Sequence, residues 1–388
     1  MEKIYGKAFC KMGISSVQRA LVQRMGKALG MAFGCLAFAL GLSFCCGCSA
    51  TELEQRSFPL AVGIDLEEEQ ESLIVSFDFP DLAQISEKGK TADTPMALSL
   101  EGADLYHVEK SYENNTNRLL DYNHMKAVVL GEGLMKQEET LRSLLLAWEQ
   151  REASARNTSL LLGSSSASEV LSLTSETEGS MGKYLEEMLE SQKDFKQNKI
   201  ITMGDLMNQW HNQDELLLIP VLTENGDRPV ITGYAAISDF AYRGTLSVKE
   251  AMESFLAQGL LERFTCEPAE NEVVEISNIQ VSCEIEEEGE LPVVTVSIRG
   301  QGRLKTGQAN SSSERYRLEE KVEKALMADL RETSQRLQEN YGIDMVNSYL
   351  LLGGHNRELY GKYKDFAETY NREVQQVFRV DISLLNWE

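Results

Sequence analysis

The sequence predicts a mixed α/β and α+β protein of three consecutive domains, each a sheet with packed helices. Two observations support this fold class: strand and helix periods alternate in the first half, and the second half combines a hairpin, a long helix and a late strand. At 388 residues, the chain also exceeds what one hydrophobic core usually organises. The predicted domains are an N-terminal α/β domain at 58–170, a middle domain at 171–264 and a C-terminal α+β domain at 265–388.

The first predicted domain opens with a β-hairpin. Residues 58–66 form an apolar run, the acidic turn 67–71 follows, and residues 73–79 alternate in a strand period. Helix and strand periods then alternate, which is typical of an α/β layer. The predicted elements are a helix at 105–120, a strand at 125–130, a helix at 134–148, a strand at 159–163 and a helix beginning at Ser168.

A stretch rich in Ser, Thr and Gly at 163–182 predicts the boundary to the middle domain. Hydrophobic periodicity beyond it indicates both kinds of element. The predicted elements are helices at 184–189, 203–210 and 247–261, and strands at 216–222 and 230–237.

The third predicted domain combines a hairpin, a long helix and a returning strand. An acidic turn joins strands 273–285 and 291–298, a helix spans 313–341, and the chain closes on an alternating strand at 378–384. Apolar residues recur in the long helix at steps of four: Leu318, Val322, Leu326 and Leu330. An aromatic stripe in the mainly helical segment before the last strand favours core packing over a ligand cage; its members are Tyr360, Tyr363, Phe366 and Tyr370.

The N-terminal segment has the layout of a secretory signal. Six Lys and Arg precede Cys48 against one acid, and residues 28–44 are almost wholly apolar. The ending Gly47-Cys48 resembles the lipobox of bacterial lipoproteins, in which a diacylglycerol is attached to the cysteine thiol and the preceding peptide is removed. We therefore predict a signal peptide at 1–47, a lipidated Cys48 and a lipid-anchored linker at 48–57.

Other interpretations of the same segment stay open. Residues 28–50 are barely long enough to remain as an uncleaved transmembrane anchor. Translation could start at Met25, which leaves Lys27 as a compact positive flank. Cys45 and Cys46 are poorer lipid acceptors because bulkier residues precede them. Each interpretation tethers the bulk of the chain to a membrane outside the cytoplasm.

The predicted mature body is strongly acidic. Without residues 1–47 the chain has 32 Lys and Arg against 60 Asp and Glu, a net charge of −28. Nucleic acids and anionic lipid surfaces both require basic protein surface, so neither is a predicted partner. Membrane attachment must therefore come from the hydrophobic anchor.

Cysteine and histidine usage indicates no metal or cofactor site. Past Cys48 only Cys266 and Cys283 remain, in what look like neighbouring strands, and they are either a disulfide or two buried thiols. The four histidines share no ligand spacing. We predict no metal ligand and no cofactor.

One pattern in the sequence resembles part of a catalytic site. Ser180 and Lys183 fit S-x-x-K, and residues 305–307 fit K-T-G, in the order found in penicillin-binding proteins. The third element of such a site is missing, because Phe240 stands where the S-D-N motif needs Asn. With no other catalytic motif in the chain, we predict a protein that is not an enzyme, with no catalytic residues.

Several landmarks, taken in order, resemble the C-subunit lipoproteins of bacterial spore germinant receptors. They begin with the lipid cysteine and the hairpin start at 61–65, and continue with the run H-M-K-A-V-V-L-G-E-G-L at 124–134. The middle segment at 233–237 and the segment at 339–344 are similar to that family's middle and C-terminal domains.

The resemblance implies a three-domain, non-catalytic, lipid-anchored subunit on the extracytoplasmic face of a spore's inner membrane. It also implies polytopic membrane subunits of the same receptor complex as partners, and a role in germination in response to nutrients. Whether this subunit contacts a nutrient stays open. The alternatives are a solute-binding lipoprotein of a transporter and a penicillin-binding-type acyltransferase.

Overall fold

An eight-stranded mixed sheet and a four-stranded sheet organise the protein. The computed structural model describes residues 55–67, 69, 71–80, 97–150, 156–173, 180–192, 194–196, 200–211, 215–288, 291–309, 311–364 and 367–385. All of these residues belong to one compact unit, Glu54–Glu388.

The eight-stranded sheet has a parallel centre and an antiparallel hairpin at each side. In spatial order its strands are β10 (Ala241–Ser247), β9 (Arg228–Ser238), β8 (Leu217–Asn225), β7 (Ser159–Gly163), β6 (Ala127–Gly131), β2 (Ala61–Glu67), β3 (Ser72–Asp78) and β4 (Ala97–Gly102). Strands β2, β6, β7 and β8 run parallel, while β3–β4 and β9–β10 extend the sheet with antiparallel pairs. A small separate pair joins β1 (Arg56–Ser57) to β5 (Leu119–Leu120).

Helices cover both faces of this sheet. One face packs against α1 (Leu105–Thr116), α2 (Glu132–Met135), α3 (Glu138–Glu149) and α6 (Met203–Asn208), with Trp148 fully buried in that layer. The opposite face packs against α4 (Ala167–Ser172) and α5 (Met181–Glu190). Successive strand residues face opposite layers: Val128 and Leu130 contact the first layer, and Ala127 and Val129 contact the second.

The four-stranded sheet is crossed by one long helix. Its order is β11 (Arg263–Ala269), β12 (Glu272–Glu288), β13 (Leu291–Thr306) and β14 (Gln375–Leu384), and only β14 runs parallel to its neighbour. Helix α8 (Ser312–Tyr341) buries all four apolar residues that recur at steps of four, so that prediction is confirmed. The remaining helices are α7 (Val248–Ala257), α9 (Ser348–His355), α10 (Arg357–Tyr363) and α11 (Ala367–Glu373).

Sequence signals at both ends of α8 explain its length. Ser311 and Glu314 form a reciprocal capping box at the start, which satisfies backbone N–H groups that lack helical partners. The helix ends at Gly342, whose φ of 65° is the left-handed conformation that glycine adopts without a steric penalty. These two caps bound a helix of 30 residues.

The mixed fold class is confirmed, and the strand pairing differs from the prediction in one respect. The sequence predicted one sheet for 58–170 and another for 171–264, whereas β7 pairs with β8 and joins both sets of strands in one sheet. The Ser-rich stretch at 163–182 is not a linker in its described part, because Ser166 and Ser180 cap α4 and α5. The domain boundaries themselves stay a prediction.

The aromatic stripe lies in the core where the structure describes it. Tyr363 and Tyr370 are buried with ring centroids 5.3 Å apart, and Tyr349 packs against Tyr370 at 5.5 Å. Tyr360 is more exposed, and Phe366 lies outside the described residues. Core packing is thus confirmed for Tyr363 and Tyr370.

Candidate functional site

The predicted lipidation site, Cys48, lies outside the described residues, as do the signal peptide and most of the linker. Lipidation of Cys48 therefore stays a prediction. Within the described ranges, none of the helices has both the length and the hydropathy that a bilayer crossing requires.

The acyl-transfer pattern is not assembled as a site. Ser180 caps α5, and its Oγ donates a hydrogen bond to Asp78 Oδ2 at 2.7 Å. The ammonium of Lys183 lies 3.3 Å from Glu187, one turn farther along the helix. Lys305 and Thr306 end strand β13 of the other sheet, where Lys305 pairs with Glu275 at 2.8 Å.

The two body cysteines are free thiols. Cys266 lies opposite Val274 in the ladder, and Cys283 is nine residues farther along β12, about 30 Å away at the usual strand rise. Burial raises the pKa of the Cys266 thiol to about 12 and that of Cys283 to about 11, so neither is a reactive thiolate at neutral pH. The structure therefore decides against the disulfide.

A buried carboxylate in β2 anchors helix α4. Asp65 accepts hydrogen bonds from the backbone N–H groups of Ala167 at 2.7 Å and Ser168 at 2.9 Å. Gly131 in the neighbouring strand leaves room for this carboxylate, because a Cβ there would lie 2.1 Å from Asp65 Oδ1. Two of the sequence landmarks, the segments 61–65 and 124–134, thus meet at a helix start.

A second buried carboxylate, in the adjacent strand β3, anchors helix α5. Asp78 Oδ2 accepts hydrogen bonds from Ser180 Oγ and from the backbone N–H of Gly182, each at 2.7 Å. Burial raises the pKa values of both Asp65 and Asp78, while the helix N–H groups oppose this shift. The β2–β3 hairpin therefore supplies one carboxylate to helix α4 and one to helix α5.

We expect Asp78→Asn to flatten the decline of stability between pH 4 and pH 7. The folded-state pKa of Asp78 lies above its ordinary value of 3.8. Its contribution to the free energy of unfolding is therefore fully present below pH 3.8 and is lost as the pH rises through the folded-state pKa. An amide oxygen can still accept both hydrogen bonds, since both go to one oxygen of Asp78. Urea unfolding at several pH values should show the variant gaining free energy of unfolding relative to the unsubstituted protein as the pH rises.

The matched control for this prediction is Asp381→Asn on β14, where the carboxylate side chain is 78% exposed. We expect the difference from the unsubstituted protein to stay nearly constant with pH. A pH profile for Asp78→Asn that is parallel to that of the unsubstituted protein would contradict a raised folded-state pKa for Asp78.

A groove of about 900 Å³ lies between α7, α8 and the outer edge of β11. Five consecutive residues, 263–267, line its length. Its aromatic walls come from Phe195, Tyr234 and Phe264. This volume is within the range of ligand and peptide sites, and the groove is therefore the candidate binding site.

An acidic cluster lies along the helical wall of the groove. Glu253 is 1% exposed; one of its oxygens accepts a hydrogen bond from Thr333, and the other, Oε1, receives none from any described residue. The ammonium of Lys249 lies 3.6 Å from Glu253 Oε1 and 3.1 Å from Asp329 Oδ1. Burial raises the pKa of Glu253, while the hydrogen bond from Thr333 and the charge of Lys249 oppose this shift.

No histidine lines the groove in the part of the chain that the structure describes. His107 bonds to Asp104 at 2.8 Å, and the ring of His124 packs on Phe58 at 5.3 Å. No three His, Cys, Asp or Glu side chains are close enough to hold a metal ion in the part of the chain that the structure describes.

Two protein-family models together match most of the chain. The family model described as "Spore germination protein N-terminal domain" matches residues 49–224, and the model described as "Spore germination B3/ GerAC like, C-terminal" matches residues 232–386. The chain belongs to the GerAC-like family of spore germination proteins. The two matches meet at the turn between β8 and β9, within the eight-stranded sheet.

A solved structure shares the fold of this GerAC-like chain. The crystal structure of the GerBC protein matches with a TM-score of 0.57 and 17% sequence identity, over 84% of this chain and 98% of the other. No curated protein sequence matches the chain. The two family matches confirm the resemblance that the sequence landmarks indicated.

Sequence reasoning missed the groove of this GerAC-like protein. Two of its acidic residues, Glu253 and Asp329, lie on different helices and are 76 positions apart in the sequence. No local motif therefore brings them together. In a chain with 61 Asp and Glu, such a pair cannot be told from a solvated helix face. Only the packing of α7 against α8 places both residues at the groove.

Proposed function

We propose that the protein is a lipid-anchored, non-catalytic subunit of a nutrient germinant receptor, needed for spore germination in response to nutrients. It works on the extracytoplasmic face of the spore inner membrane with polytopic membrane subunits of the same complex. The single observation that carries this proposal is the match of two spore germination family models over residues 49–224 and 232–386.

The structure supports a role in assembly rather than in catalysis. The residues of the acyl-transfer pattern have structural partners: Ser180 caps a helix, and Lys183 and Lys305 pair with carboxylates. The buried acids Asp65 and Asp78 likewise bond to helix N-termini and not to an open site. These contacts describe a rigid scaffold with a groove on one side.

The sequence around Cys48 and the charge of the body both support the proposed lipid anchor. The body beyond Cys48 has a net charge of −28 and gains no attraction from an anionic membrane. Two acyl chains on Cys48 provide a stable hydrophobic hold, at about 0.8 kcal/mol per buried CH₂. Confinement at the membrane raises the effective concentration of the subunit near membrane partners, which commonly strengthens association by about 10²–10⁴.

We expect Cys48→Ala to release the protein from spore membranes and to slow nutrient germination by about tenfold or more, because the confinement is lost. Germination is followed by the fall in optical density at limiting nutrient, in a strain with no second receptor of the same specificity. Membrane fractionation and mass spectrometry of the N-terminal peptide report the anchor.

The matched control is Cys46→Ala, which removes a neighbouring thiol and leaves Gly47-Cys48 intact. Its spores should germinate at the normal rate. Normal germination of a strain that lacks the whole chain would contradict the receptor role. If mass spectrometry finds residues 1–47 still attached to the unsubstituted protein and no diacylglycerol on Cys48, the anchor is a retained helix and not a lipid.

A further inference from the structure

The fold protects one edge of the four-stranded sheet. On β14 the backbone N–H of Ile382 donates to Glu323 at 3.1 Å, and that of Leu384 donates to Glu319 at 2.8 Å. Both acceptors project from α8, which lies alongside this strand. Side-chain acceptors thus occupy N–H groups that an incoming strand would otherwise use.

The other edge, β11, is paired only at its beginning. The backbone N–H of Lys196 donates to Leu260 O at 2.8 Å, and Asp194 O accepts from Glu262 at 2.7 Å and from Arg263 at 3.3 Å. Beyond Arg263, no described residue outside the sheet makes a backbone hydrogen bond to the segment 264–267. The chain therefore uses this edge for one short pairing and leaves the next four residues open.

Strand geometry points the open backbone groups into the groove. The N–H of Arg263 already points outward, because it donates to Asp194. Backbone direction alternates along a strand, so the N–H and C=O groups of Thr265 point the same way. The register shift between Cys266 and Ala269, together with Pro268, ends the regular edge. The available edge is long enough for a short extended peptide.

The charge of the groove selects a basic occupant. Four acidic residues line it (Asp194, Glu253, Glu267 and Asp329) against two basic ones (Lys249 and Arg263). Glu253 is nearly fully buried, and its Oε1 has no hydrogen-bond donor among the described residues. The ammonium of Lys249 forms an ion pair with this oxygen at 3.6 Å, beyond hydrogen-bond distance. An incoming ammonium or guanidinium group at hydrogen-bond distance would supply the donor in a charge-assisted hydrogen bond.

We propose that the groove binds an extended, basic segment of a partner protein, which adds as a strand to the outer edge of β11 and places a Lys or Arg side chain against Glu253 and Asp329. The aromatic side chains of Phe195, Tyr234 and Phe264 contact apolar residues of that segment. Main-chain hydrogen bonds supply affinity in this mode of recognition, and the side-chain contacts supply specificity.

A peptide fits these features better than a small amine. Five consecutive residues of one strand line the length of the groove, and its side toward solvent is open. A small ligand would satisfy the carboxylates and leave the edge of β11 unpaired. The proposal goes beyond the receptor role, which names no contact surface, and it depends on neither lipidation nor nutrient response.

The test uses the full-length protein in detergent micelles and a fluorescent probe, the peptide TVKVTV with fluorescein on its N-terminus and an amidated C-terminus. One control peptide replaces its lysine with glutamate, and a second carries N-methyl groups on alternate amides, which removes strand hydrogen bonds. We expect each control peptide to bind at least about tenfold more weakly than the probe in fluorescence anisotropy. Hydrogen exchange at Thr265 should slow when the probe binds.

Protein variants separate the groove from the rest of the surface. Glu253→Gln should weaken probe binding by about tenfold. Glu224→Gln, on exposed β8 surface away from the groove, makes the same charge change and should leave binding unchanged. If Glu253→Gln does not fold, Asp329→Asn takes its place, since Asp329 also lines the groove.

The proposal would be overturned by no binding of the probe, by equal binding of the N-methylated peptide or by equal binding to the groove variants. Competition by free lysine amide as effective as that of the peptide would instead assign the groove to small amines, and would also overturn strand addition. None of these results bears on the Cys48→Ala germination test, so the two proposals fail separately.

Discussion

Replacing Gly182 with alanine is expected to lower the free energy of unfolding by about 3 kcal/mol, the upper part of the usual range for overpacking. Gly182 is the second residue of α5, and it lies directly on the backbone before β2. A Cβ at this position would lie 2.5 Å from the carbonyl carbon of Leu60 and 2.8 Å from the N atom of Ala61. Real Cβ atoms do not approach backbone atoms this closely, so either the helix or the strand must move.

Neither element can move without breaking other contacts. The backbone of Leu60 is held by hydrogen bonds to Asp78 O at 2.8 Å and from Lys126 N at 2.7 Å. Ala61 is fully buried in the parallel centre of the eight-stranded sheet. Moving α5 outward would instead pull Gly182 N away from Asp78, which accepts its hydrogen bond at 2.7 Å. The added methyl group therefore disrupts a packed, hydrogen-bonded junction.

A matched control comes from a glycine with space around it. A Cβ at Gly361, in helix α10, meets no heavy atom within 4 Å. Alanine is the better helix former, so Gly361→Ala should raise the free energy of unfolding by about 0.5–1 kcal/mol. Urea unfolding followed by tryptophan fluorescence measures Gly182→Ala, because Trp148 lies in the core of the eight-stranded sheet. Far-UV circular dichroism measures both variants. Equal effects of the two substitutions would contradict the close approach at Gly182.

Hydrophobic periodicity predicted the elements that bury one continuous face. Helix α8 matches its predicted range to within a residue, because its apolar residues recur at the helical period. Strand β7 matches its predicted range because a short apolar run is typical of a strand buried on both faces. The edge strand β10 was missed. Only Leu246 is fully buried among its residues, so the sequence there has little apolar alternation. The formation of an edge strand depends mainly on its pairing with the neighbouring strand. Hydrophobic periodicity does not indicate this pairing.

Strand partners also explain the joined sheet. The pairing of β7 with β8 connects Leu162 to Val221, across nearly 60 residues that include helices α4, α5 and α6. Composition at 163–182 favoured a domain boundary, because Ser, Thr and Gly are common both between domains and in helix caps. The structure shows Ser166 and Ser180 as caps. A local composition signal could not distinguish these two uses.

Sequence patterns could not predict the candidate groove, for a related reason. Its lining comes from four separate parts of the chain, namely 191–195, 231–234, 248–253 and 263–267, together with Asp329. The sequence landmarks instead identified residues that hold helices in place, such as Asp65 and Asp344. Cys48 was identified by a purely local signal, and its lipidation stays a prediction.

Replacing Asp344 with alanine is expected to lower the free energy of unfolding by roughly 3 kcal/mol or more. Its buried carboxylate lies between α8 and α9 and accepts several hydrogen bonds. The donors are the backbone N–H groups of Val346 (3.0 Å), Ser348 (2.5 Å) and Tyr349 (3.3 Å), the Ser348 hydroxyl (2.6 Å) and Gln376 Nε2 (2.8 Å). Asp344 thereby starts helix α9, because the side chain of the cap residue Asn347 bonds to Leu216 instead.

Two effects of Asp344→Ala oppose each other. Burial raises the pKa of Asp344, so removing the carboxylate relieves the unfavourable burial of a charge. The substitution also leaves several buried donors without an acceptor, each at a cost of about 1–3 kcal/mol. With five donors converging on one carboxylate, the lost hydrogen bonds outweigh the relieved charge.

Thermal and urea unfolding followed by far-UV circular dichroism measure this loss. Ser348→Ala should cost less, about 1 kcal/mol, because it removes only the hydroxyl that links Asp344 to Tyr370 OH at 2.8 Å. Asp381→Ala, at an exposed position on β14, should change stability by less than about 0.5 kcal/mol. An Asp344→Ala variant as stable as the unsubstituted protein would show that the buried charge costs more than its hydrogen bonds contribute, and that the start of α9 does not depend on this carboxylate.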